Sequence, residues 1–280
     1  MQFLSPNSLA EALELFGKHP DYKLLAGGTD ICVSMNSGLS KPKGIINIWG
    51  LGELGGITEN GGEIELGALA THTQIADSSV VKKHLPALAL ACSTIGARQT
   101  QNRGTIGGNV MNASPAGDTL PPLLAYDAEV EAASPEGRRW IKFGEFYMGY
   151  RKTALKQGEL ITKFKLPKAP RGEKSAFLKV GTRRAQAISK VMGCFRYTPP
   201  LKKGGEGGFV IAFGSIAPTP VRLYEIEKFL AGKKLTAEVI NEAVELTRRS
   251  IRPIDDIRST ADYRRHVCGV LVRRFLEAYI

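Results

Sequence analysis

GTIGGNVMNASPAGDT, at residues 104–119, is the stretch from which the fold is predicted. Gly107 and Gly108 lack a Cβ, so the backbone can approach a ligand closely and the two N–H groups can converge on an anion. Hydroxyl, amide and carboxylate side chains in the same stretch add further hydrogen-bonding groups. An ordinary surface turn has a similar composition. On this stretch alone, an anion site and a surface turn are equally good interpretations.

A second pair of glycines favours the anion site. LLAGGTDI, at residues 24–31, is typical of a short buried strand that ends in a tight turn. A helix is predicted from near Asp30 toward Gly38, and its free amides and positive dipole end would face the same anion. Neither stretch contains the lysine of a P-loop or matches GxxxxGK[ST]. Backbone amides are therefore expected to meet most of the ligand's charge.

A third glycine pattern looks like a dinucleotide-binding turn but lacks its context. Gly50, Gly52 and Gly55 spell GxGxxG after a strand-like segment at residues 44–49. A Rossmann turn opens a helix and is followed, about 20 residues later, by an acidic residue that binds the ribose. Here Asn60, Gly61 and Gly62 precede a strand-like segment at 63–67, which predicts a hairpin instead. A Rossmann fold is therefore disfavoured.

Length and composition predict a cytoplasmic globular protein. The chain has 280 residues, 43% of them hydrophobic, which is enough for two domains with sizeable cores. No apolar run approaches the roughly 18 residues of a membrane span. The N-terminal MQFLSPNSL lacks a basic segment followed by an apolar core, so secretion is not expected.

The cysteines and histidines indicate no metal centre or iron–sulfur cluster. Cys32, Cys92, Cys194 and Cys268 form no CxxC pair, and no histidine lies at metal-ligand spacing from them. The cysteines are predicted to be free, buried thiols. His72 lies in a polar stretch and could contact a ligand, although a solvated or capping histidine is the more common case.

The net charge of +11 raises the possibility of nucleic-acid binding. The basic residues are spread along the chain and become denser in its C-terminal third, without a helix-turn-helix, zinc-finger or RNP pattern. A solvated face or an acidic protein partner is the better interpretation. The C-terminal cluster includes Arg248, Arg249, Arg264, Arg265, Arg273 and Arg274.

Periodicity predicts an α+β fold in two parts, with a polar boundary at 167–174. The first part is expected to have helices at 9–17, 85–95 and 120–126, strands at 22–26, 45–49 and 159–166, and a hairpin at 128–143. The helix at 9–17 and the strands at 22–26 and 45–49 would form a small β-α-β start. The second part is expected to have strands at 175–181, 189–197 and 209–216, a glycine-rich connection at 204–208, and helices at 221–230, 236–250 and 261–280.

Five ordered stretches resemble one family, the FAD-binding medium subunits of molybdenum hydroxylases, which include those of xanthine dehydrogenase and carbon monoxide dehydrogenase. Besides the two glycine stretches they are FYMGYRKTALKQGELI (146–161), SAFLKVGTRRAQAISKV (175–191) and STADYRRHVCGVLVRRF (259–275). The resemblance covers essentially the whole chain. It implies a two-part FAD-binding domain of the PCMH (vanillyl-alcohol-oxidase-like) type at 1–170. It also implies a CO dehydrogenase flavoprotein C-terminal domain at 171–280, with a three-stranded antiparallel sheet and three helices.

The resemblance also implies a set of FAD-binding residues. Residues 24–31 and 105–109 would enclose the pyrophosphate, and Asp118 would hydrogen-bond the ribityl chain or an adjoining group. Ile95 and Ile161 would pack against the rings of FAD, and the alternative for both is a position in the protein core. Lys179 would reach a polar edge of FAD, and the alternative is a solvated lysine on a strand. No catalytic residue and no metal ligand is expected in this chain. The full set is Leu24, Leu25, Ala26, Gly27, Gly28, Thr29, Asp30, Ile31, Ile95, Thr105, Ile106, Gly107, Gly108, Asn109, Asp118, Ile161 and Lys179.

The implied activity is electron transfer rather than substrate chemistry. In the family, substrate is hydroxylated at a molybdenum cofactor on a large subunit, and two [2Fe-2S] clusters on a small subunit carry the electrons to FAD. FAD then reduces an acceptor, often NAD. A chain without a cysteine cluster fits that division of labour. The alternatives are a free-standing flavin-dependent oxidoreductase with the same fold and a non-enzymatic assembly or nucleic-acid-binding protein.

Overall fold

The N-terminal layer is a three-stranded parallel sheet. The structure, a computed structural model, describes residues 1–183, 185–199 and 207–279, so most of the predicted connection at 204–208 lies outside the described residues. The strands are arranged in the order β1-β3-β2, with two helices in the connections. The predicted strands at 22–26 and 45–49 are present, and β1 is an additional strand that the pattern did not indicate. The elements are β1 (Gln2–Leu4), α1 (Leu9–Lys18), β2 (Lys23–Leu25), α2 (Ile31–Asn36) and β3 (Gly44–Asn47).

Local capping determines where α1 begins. The Ser8 hydroxyl accepts a hydrogen bond from the Glu11 N–H at 3.2 Å, and the Glu11 carboxylate accepts one from the Asn7 N–H at 2.7 Å. These contacts satisfy amides that the first turn of a helix leaves without partners. Leu9 and Leu13 lie on the buried face of α1. The helix therefore packs on the sheet as the spacing of its apolar residues predicts.

The central layer is a five-stranded antiparallel sheet in the order β4-β5-β10-β6-β7. The GxGxxG stretch forms a 3₁₀ turn at Gly52–Leu54 and leads into the β4–β5 hairpin, which confirms that it does not open a Rossmann helix. The predicted hairpin at 128–143 and the strand at 159–166 are also present. The strands are β4 (Ile57–Asn60), β5 (Glu63–Gly67), β6 (Glu129–Ser134), β7 (Gly137–Lys142) and β10 (Leu160–Pro167).

Short helices fill the long connection between β5 and β6 and cover the central sheet. A seventh short helix and a two-stranded ribbon follow β7. The helices are α3 (His72–Asp77), α4 (Ser79–His84), α5 (Pro86–Ser93), α6 (Arg98–Arg103), α7 (Ile106–Asn112), α8 (Leu120–Ala125) and α9 (Phe143–Phe146), and the ribbon strands are β8 (Tyr147–Gly149) and β9 (Lys152–Thr153).

The C-terminal sheet has four strands, in the order β11-β12-β13-β14, rather than the three predicted. The fourth arises because Val221–Arg222 is extended and pairs with β13, so the helix predicted at 221–230 begins only at Tyr224. The elements are β11 (Lys174–Val180), β12 (Val191–Thr198), β13 (Gly208–Gly214), β14 (Val221–Arg222), α10 (Tyr224–Leu230), α11 (Ala237–Ser250) and α12 (Ala261–Glu277).

Both faces of the C-terminal sheet are buried. Because side chains alternate along a strand, Cys194 packs into the core that contains α5 and α8, whereas Phe195 faces the C-terminal helices. The Phe195 ring stacks on Phe275 of α12 at 5.1 Å between centroids. The sheet therefore packs against the first part of the chain on one face and against the C-terminal helices on the other.

Three of the four cysteines are buried, as predicted: Cys92, Cys194 and Cys268. Cys32 is exposed, because it lies on α2, which buries none of its residues. Within the described ranges, no group of three or more His, Cys, Asp or Glu side chains is arranged to hold a metal ion. In that same part of the chain, no helix is long and apolar enough to cross a membrane.

Candidate functional site

The two glycine stretches lie against each other, although they are far apart in sequence. Gly27 touches the backbone of Arg103 so closely that a Cβ on Gly27 would overlap the Arg103 carbonyl oxygen. The Asn112 side-chain amide donates to Asp30 Oδ1 at 3.1 Å. The structure thus brings together residues 26–31 and 103–112, as a shared ligand site requires.

The first stretch offers a row of unused backbone donors. Among the described residues, the N–H groups of Gly27, Gly28, Thr29 and Asp30 donate to no protein acceptor. Gly28 has φ +79°, a left-handed conformation that glycine adopts without strain. Consecutive free amides at such a turn form a concavity suited to phosphate oxygens. The Ile48 N–H anchors this turn by donating to the carbonyl of Leu25 at 2.9 Å.

The second stretch is organised differently from the prediction. Residues 106–112 form helix α7 rather than a loop, and Thr105 caps its start. The Gly107 N–H donates to the Ala68 carbonyl at 2.9 Å and the Gly108 N–H to Thr105 Oγ1 at 3.0 Å. The prediction that these two amides converge on an anion is therefore wrong. Gly107 is needed for packing, because a Cβ there would lie 2.7 Å from the Ala68 carbonyl oxygen.

A cavity of about 700 Å³ opens beyond the end of α7, between the two parts of the chain. Three predicted site residues, Ile95, Asn109 and Asp118, line it. The opposite wall comes from the segments after β11 and β13, including Ser189 and Ser215. Its position and size suit a cofactor held between two structural units.

Asp118 lies at the centre of a buried network in this cavity. Lys179 Nζ lies 2.5 Å from Asp118 Oδ2 and also donates to the Thr94 carbonyl at 3.1 Å. The Ser189 hydroxyl donates to Asp118 Oδ1 at 2.6 Å. Burial raises the pKa of the Asp118 carboxyl, and Lys179 and Ser189 oppose that effect by stabilising the ionised form. Lys179, whose side chain is 13% exposed, is thus a largely enclosed partner of Asp118 rather than a solvated lysine.

The C-terminal stretch contributes a second ion pair to the cavity wall. Arg264, 3% exposed, donates to Asp256 Oδ1 at 2.7 Å and to the Ile254 carbonyl at 2.9 Å. The hydrogen bond from Arg264 lowers the pKa of Asp256 to about 2. Neither Ser189 nor this pair belonged to the predicted site. Ser189 is 71 residues from Asp118 in sequence, and the partner of Arg264 lies in the turn before α12. Residue type alone therefore did not indicate that either one belongs to the site.

Several predicted residues lie away from the cavity. Ile161 lies in β10 opposite Ala132 and is buried in the central core, outside the cavity lining. Ile106 is the first residue of α7 and is fully buried. Leu24 belongs to β2, and Ile31 is the first residue of α2. Contacts of these four residues with a cofactor stay predictions.

His72 differs from the solvated or capping histidine that was expected. Its side chain is buried, with 2% of the residue exposed, and burial lowers its pKa to about 4. The helix cap is provided instead by Thr71 and Gln74, whose side chains and backbone N–H groups bond reciprocally. The capping explanation therefore does not account for His72.

Comparison with known protein families identifies the fold. Residues 1–169 match the family described as the FAD binding domain in molybdopterin dehydrogenase, and residues 176–279 match the CO dehydrogenase flavoprotein C-terminal domain. The chain belongs to this family of FAD-binding medium subunits. It is therefore an oxidoreductase subunit whose cofactor is FAD.

Individual relatives resemble the chain over nearly its full length. The xanthine dehydrogenase FAD-binding subunit of Escherichia coli O157:H7 is 32% identical and aligns over 96% of this chain and 92% of its own. The carbon monoxide dehydrogenase medium chain of Hydrogenophaga pseudoflava is 31% identical over 99% and 96%. A chain of the reconstituted CO dehydrogenase from Oligotropha carboxidovorans superposes with a TM-score of 0.92 at 30% identity, over 98% of this chain and 95% of that one.

The residues present fit FAD in two respects. The unused amides of residues 27–30 suit a pyrophosphate, which needs several donors and no bulky side chain. The cavity between the two parts of the chain adjoins the far end of α7 and has room for a ring system. The stretch at residues 24–31 thus has free backbone N–H donors, whereas the glycines of the stretch at 104–119 allow close packing within the protein.

Proposed function

We propose that this chain is the electron-transfer subunit of a molybdenum hydroxylase. It works with two partners, a small [2Fe-2S] subunit and a large molybdopterin subunit. When bound, FAD accepts electrons from the [2Fe-2S] clusters and passes them to an acceptor such as NAD. The observation that carries the proposal is the row of unused amides at residues 27–30, which the Asn112–Asp30 hydrogen bond connects to a cavity that both parts of the chain enclose.

The chain's own residues bind and orient the cofactor. The amides of residues 27–30 hold the pyrophosphate, and Asn109 lines the adjoining cavity. Asp118 accepts a hydrogen bond from the ribityl chain or an adjoining group, with its carboxylate fixed by Lys179 and Ser189. The predicted FAD-binding residues and the division at 170/171 belong to the same proposal.

The proposal is tested with the full-length chain, alone and with its two partners. The chain is expected to bind FAD stoichiometrically and to copurify with an iron–sulfur protein and a molybdopterin protein. In the assembled complex, chemically reduced iron–sulfur clusters should reduce the bound flavin in anaerobic stopped-flow absorbance measurements.

Two outcomes would contradict the proposal. A folded, FAD-supplemented chain that binds no flavin would remove the cofactor assignment. Turnover of an organic substrate by the flavin of the isolated chain would favour a free-standing oxidoreductase instead. Omitting only the small subunit is the matched control, since it should abolish flavin reduction while leaving FAD bound.

A further inference from the structure

Ser189 connects the C-terminal part of the chain to a carboxylate in the cavity. The residue is 2% exposed, and its hydroxyl donates to Asp118 Oδ1 at 2.6 Å. Both residues line the cavity of about 700 Å³. Lys179 Nζ engages the other oxygen, Oδ2, and also donates to the carbonyl of Thr94. The carboxylate therefore has one charged partner, which it shares with a backbone carbonyl, and one neutral partner.

Asp118 is the group whose charge can change in this cavity. Among the described residues that line the cavity, the carboxyl groups are those of Asp118 and Asp256, and none of these residues is a histidine. The hydrogen bond from Arg264 lowers the pKa of Asp256 to about 2, so Asp256 stays ionised. Burial raises the pKa of Asp118, and Lys179 and Ser189 oppose that effect. The charge of Asp118 is therefore set by a balance in which Ser189 takes part.

The other ionisable groups around Asp118 keep a constant charge. Tyr150, Arg151 and Arg258 line the same cavity, and phenols and guanidinium groups do not titrate between about pH 4 and 8. Cys92 faces Asp118 from α5, and burial raises the pKa of its thiol, which keeps it neutral. A change in the charge of the cavity within this range therefore comes from Asp118.

The charge of Asp118 bears on the flavin, because the proposed site places the ring system in this cavity. Two-electron reduction gives the flavin a negative charge near neutral pH, which a nearby carboxylate opposes and a neutral carboxyl does not. A hydrogen bond to an ionised carboxylate favours the ionised form. With Ser189 present, Asp118 therefore keeps its negative charge to a lower pH than it would with Lys179 alone.

We propose that Ser189 is a positioning residue that keeps Asp118 ionised and thereby lowers the reduction potential of the bound flavin. The inference rests on the proposed FAD site and adds to it a residue of the C-terminal part that acts on the flavin through Asp118. Ser189 itself transfers neither electrons nor protons.

Spectroelectrochemical titration of the FAD-loaded, full-length chain over about pH 5–9 tests this role. Ser189→Ala removes the hydroxyl, so Asp118 should take up its proton at a higher pH than in the wild type. As pH falls, the flavin potential of Ser189→Ala should rise above that of the wild type. The expected difference is about tenfold in the ratio of affinities for reduced and oxidised FAD, or about 30 mV for two electrons. At alkaline pH the two potentials should agree, and Ser189→Thr, which keeps the hydroxyl, should follow the wild type.

A serine outside the cavity lining provides the matched control. Ser175 lies on β11, the strand of Lys179, and its hydroxyl lies 2.7 Å from the Tyr126 hydroxyl. Ser175→Ala should leave the flavin potential unchanged at every pH. NMR of isotope-labelled carboxyl groups in the FAD-free chain gives a readout that does not depend on the flavin. The pKa of Asp118, assigned with Asp118→Asn, should be higher in Ser189→Ala than in the wild type.

The possible failures are distinguishable. If the wild-type chain bound no FAD, the proposed function would fail together with this inference. If it bound FAD, and the potentials of Ser189→Ala and wild type agreed at every pH or differed by a constant amount, only the role of Ser189 would be overturned. Asp118→Asn covers the case in which Ser189→Ala fails to fold. Its flavin potential should exceed that of the wild type at alkaline pH, and equal potentials there would overturn the role of Ser189 as well, since it acts through the charge of Asp118.

Discussion

Lys179 Nζ lies 2.5 Å from Asp118 Oδ2, and this ion pair connects the C-terminal sheet to the segment that follows α7. The side chains of Lys179 and Asp118 are 13% and 7% exposed. Ser189 binds the other oxygen of the same carboxylate. Both Asp118 oxygens are thus engaged by the second part of the chain, so the C-terminal sheet determines how this carboxylate is presented to the cavity.

Removing Lys179 should be strongly destabilising. Lys179→Met leaves the Asp118 carboxylate buried without its cation and is expected to lower the free energy of unfolding by about 3–5 kcal/mol. The double variant Lys179→Met with Asp118→Asn should lose less free energy of unfolding than the two single variants lose together, because it removes the unpaired charge. Urea denaturation of all four proteins measures the coupling.

The control for this cycle is a more exposed pair in the central sheet. Lys163 Nζ lies 3.1 Å from Glu65 Oε2, with both side chains at least a quarter exposed. Lys163→Met should therefore change the free energy of unfolding by only about 0–1 kcal/mol. If Lys163→Met and Lys179→Met lowered the free energy of unfolding equally, the greater contribution assigned to the less exposed Lys179–Asp118 pair would be contradicted.

Gly27 should tolerate no side chain if the two glycine stretches form one site. In Gly27→Ala the new Cβ would overlap the Arg103 carbonyl oxygen, so the stretches must move apart. FAD binding is expected to weaken by about tenfold or more, as for the loss of one hydrogen bond to a charged group. Titration of the FAD-free chain, followed by flavin fluorescence, measures the change.

A glycine in the β4–β5 turn serves as the comparison. No heavy atom lies within 4 Å of the Cβ position of Gly62, so Gly62→Ala should bind FAD as the wild-type chain does. If Gly27→Ala also bound FAD with unchanged affinity, the contact between the two stretches would have no part in cofactor binding.

Most secondary structure could be predicted because its signals are local. The hairpin at 128–143 shows alternation around a turn, and the first glycine stretch shows a short apolar strand before its turn. The role of Gly107 could not be predicted in the same way, since its acceptor is a carbonyl at the end of a strand far earlier in the chain. Ser189 is likewise 71 residues from the carboxylate that it binds.

The error in the C-terminal sheet has a similar origin. Val221–Arg222 forms only two ladder pairs with β13, and two residues are too few to show a strand periodicity. Arg222 is also fixed by the carboxylate of Asp127, which lies in the other part of the chain. Tertiary contacts therefore keep this segment extended where local propensity allowed a helix.

His72 should make the FAD-free chain sensitive to mild acid. Burial lowers the pKa of His72 from 6.5 to about 4, so the unfolded chain binds a proton at a higher pH than the folded chain does. The stability contribution is present above pH 6.5 and is lost as pH falls toward 4, at about 1.4 kcal/mol per pH unit. His72→Gln should lack this loss. Parallel stability curves for the two proteins over that range, measured by urea denaturation, would contradict the burial of a neutral imidazole.

Asp256 should affect stability at a lower pH than His72 does, because its stabilising form is the negatively charged carboxylate. The hydrogen bond from Arg264 lowers the pKa of Asp256 from 3.8 to about 2, so the folded state favours the carboxylate. At neutral pH, Asp256→Asn should lower the free energy of unfolding by about 1–3 kcal/mol, because the buried guanidinium loses a charged acceptor. The difference in the free energy of unfolding between Asp256→Asn and wild type should narrow as pH falls from 3.8 toward 2, since protonation of Asp256 in the wild type removes the same charge.

The exposed pair formed by Asp262 and Arg265 gives the control for Asp256→Asn. Asp262 accepts from Arg265 at 2.6 Å, but its side chain is 93% exposed, so solvent screens the interaction. Asp262→Asn should therefore leave thermal unfolding unchanged across the same pH range. If the difference in stability between Asp256→Asn and wild type were the same at all pH values, Asp256 would stabilise the cavity wall through its shape and hydrogen bonds rather than through its charge.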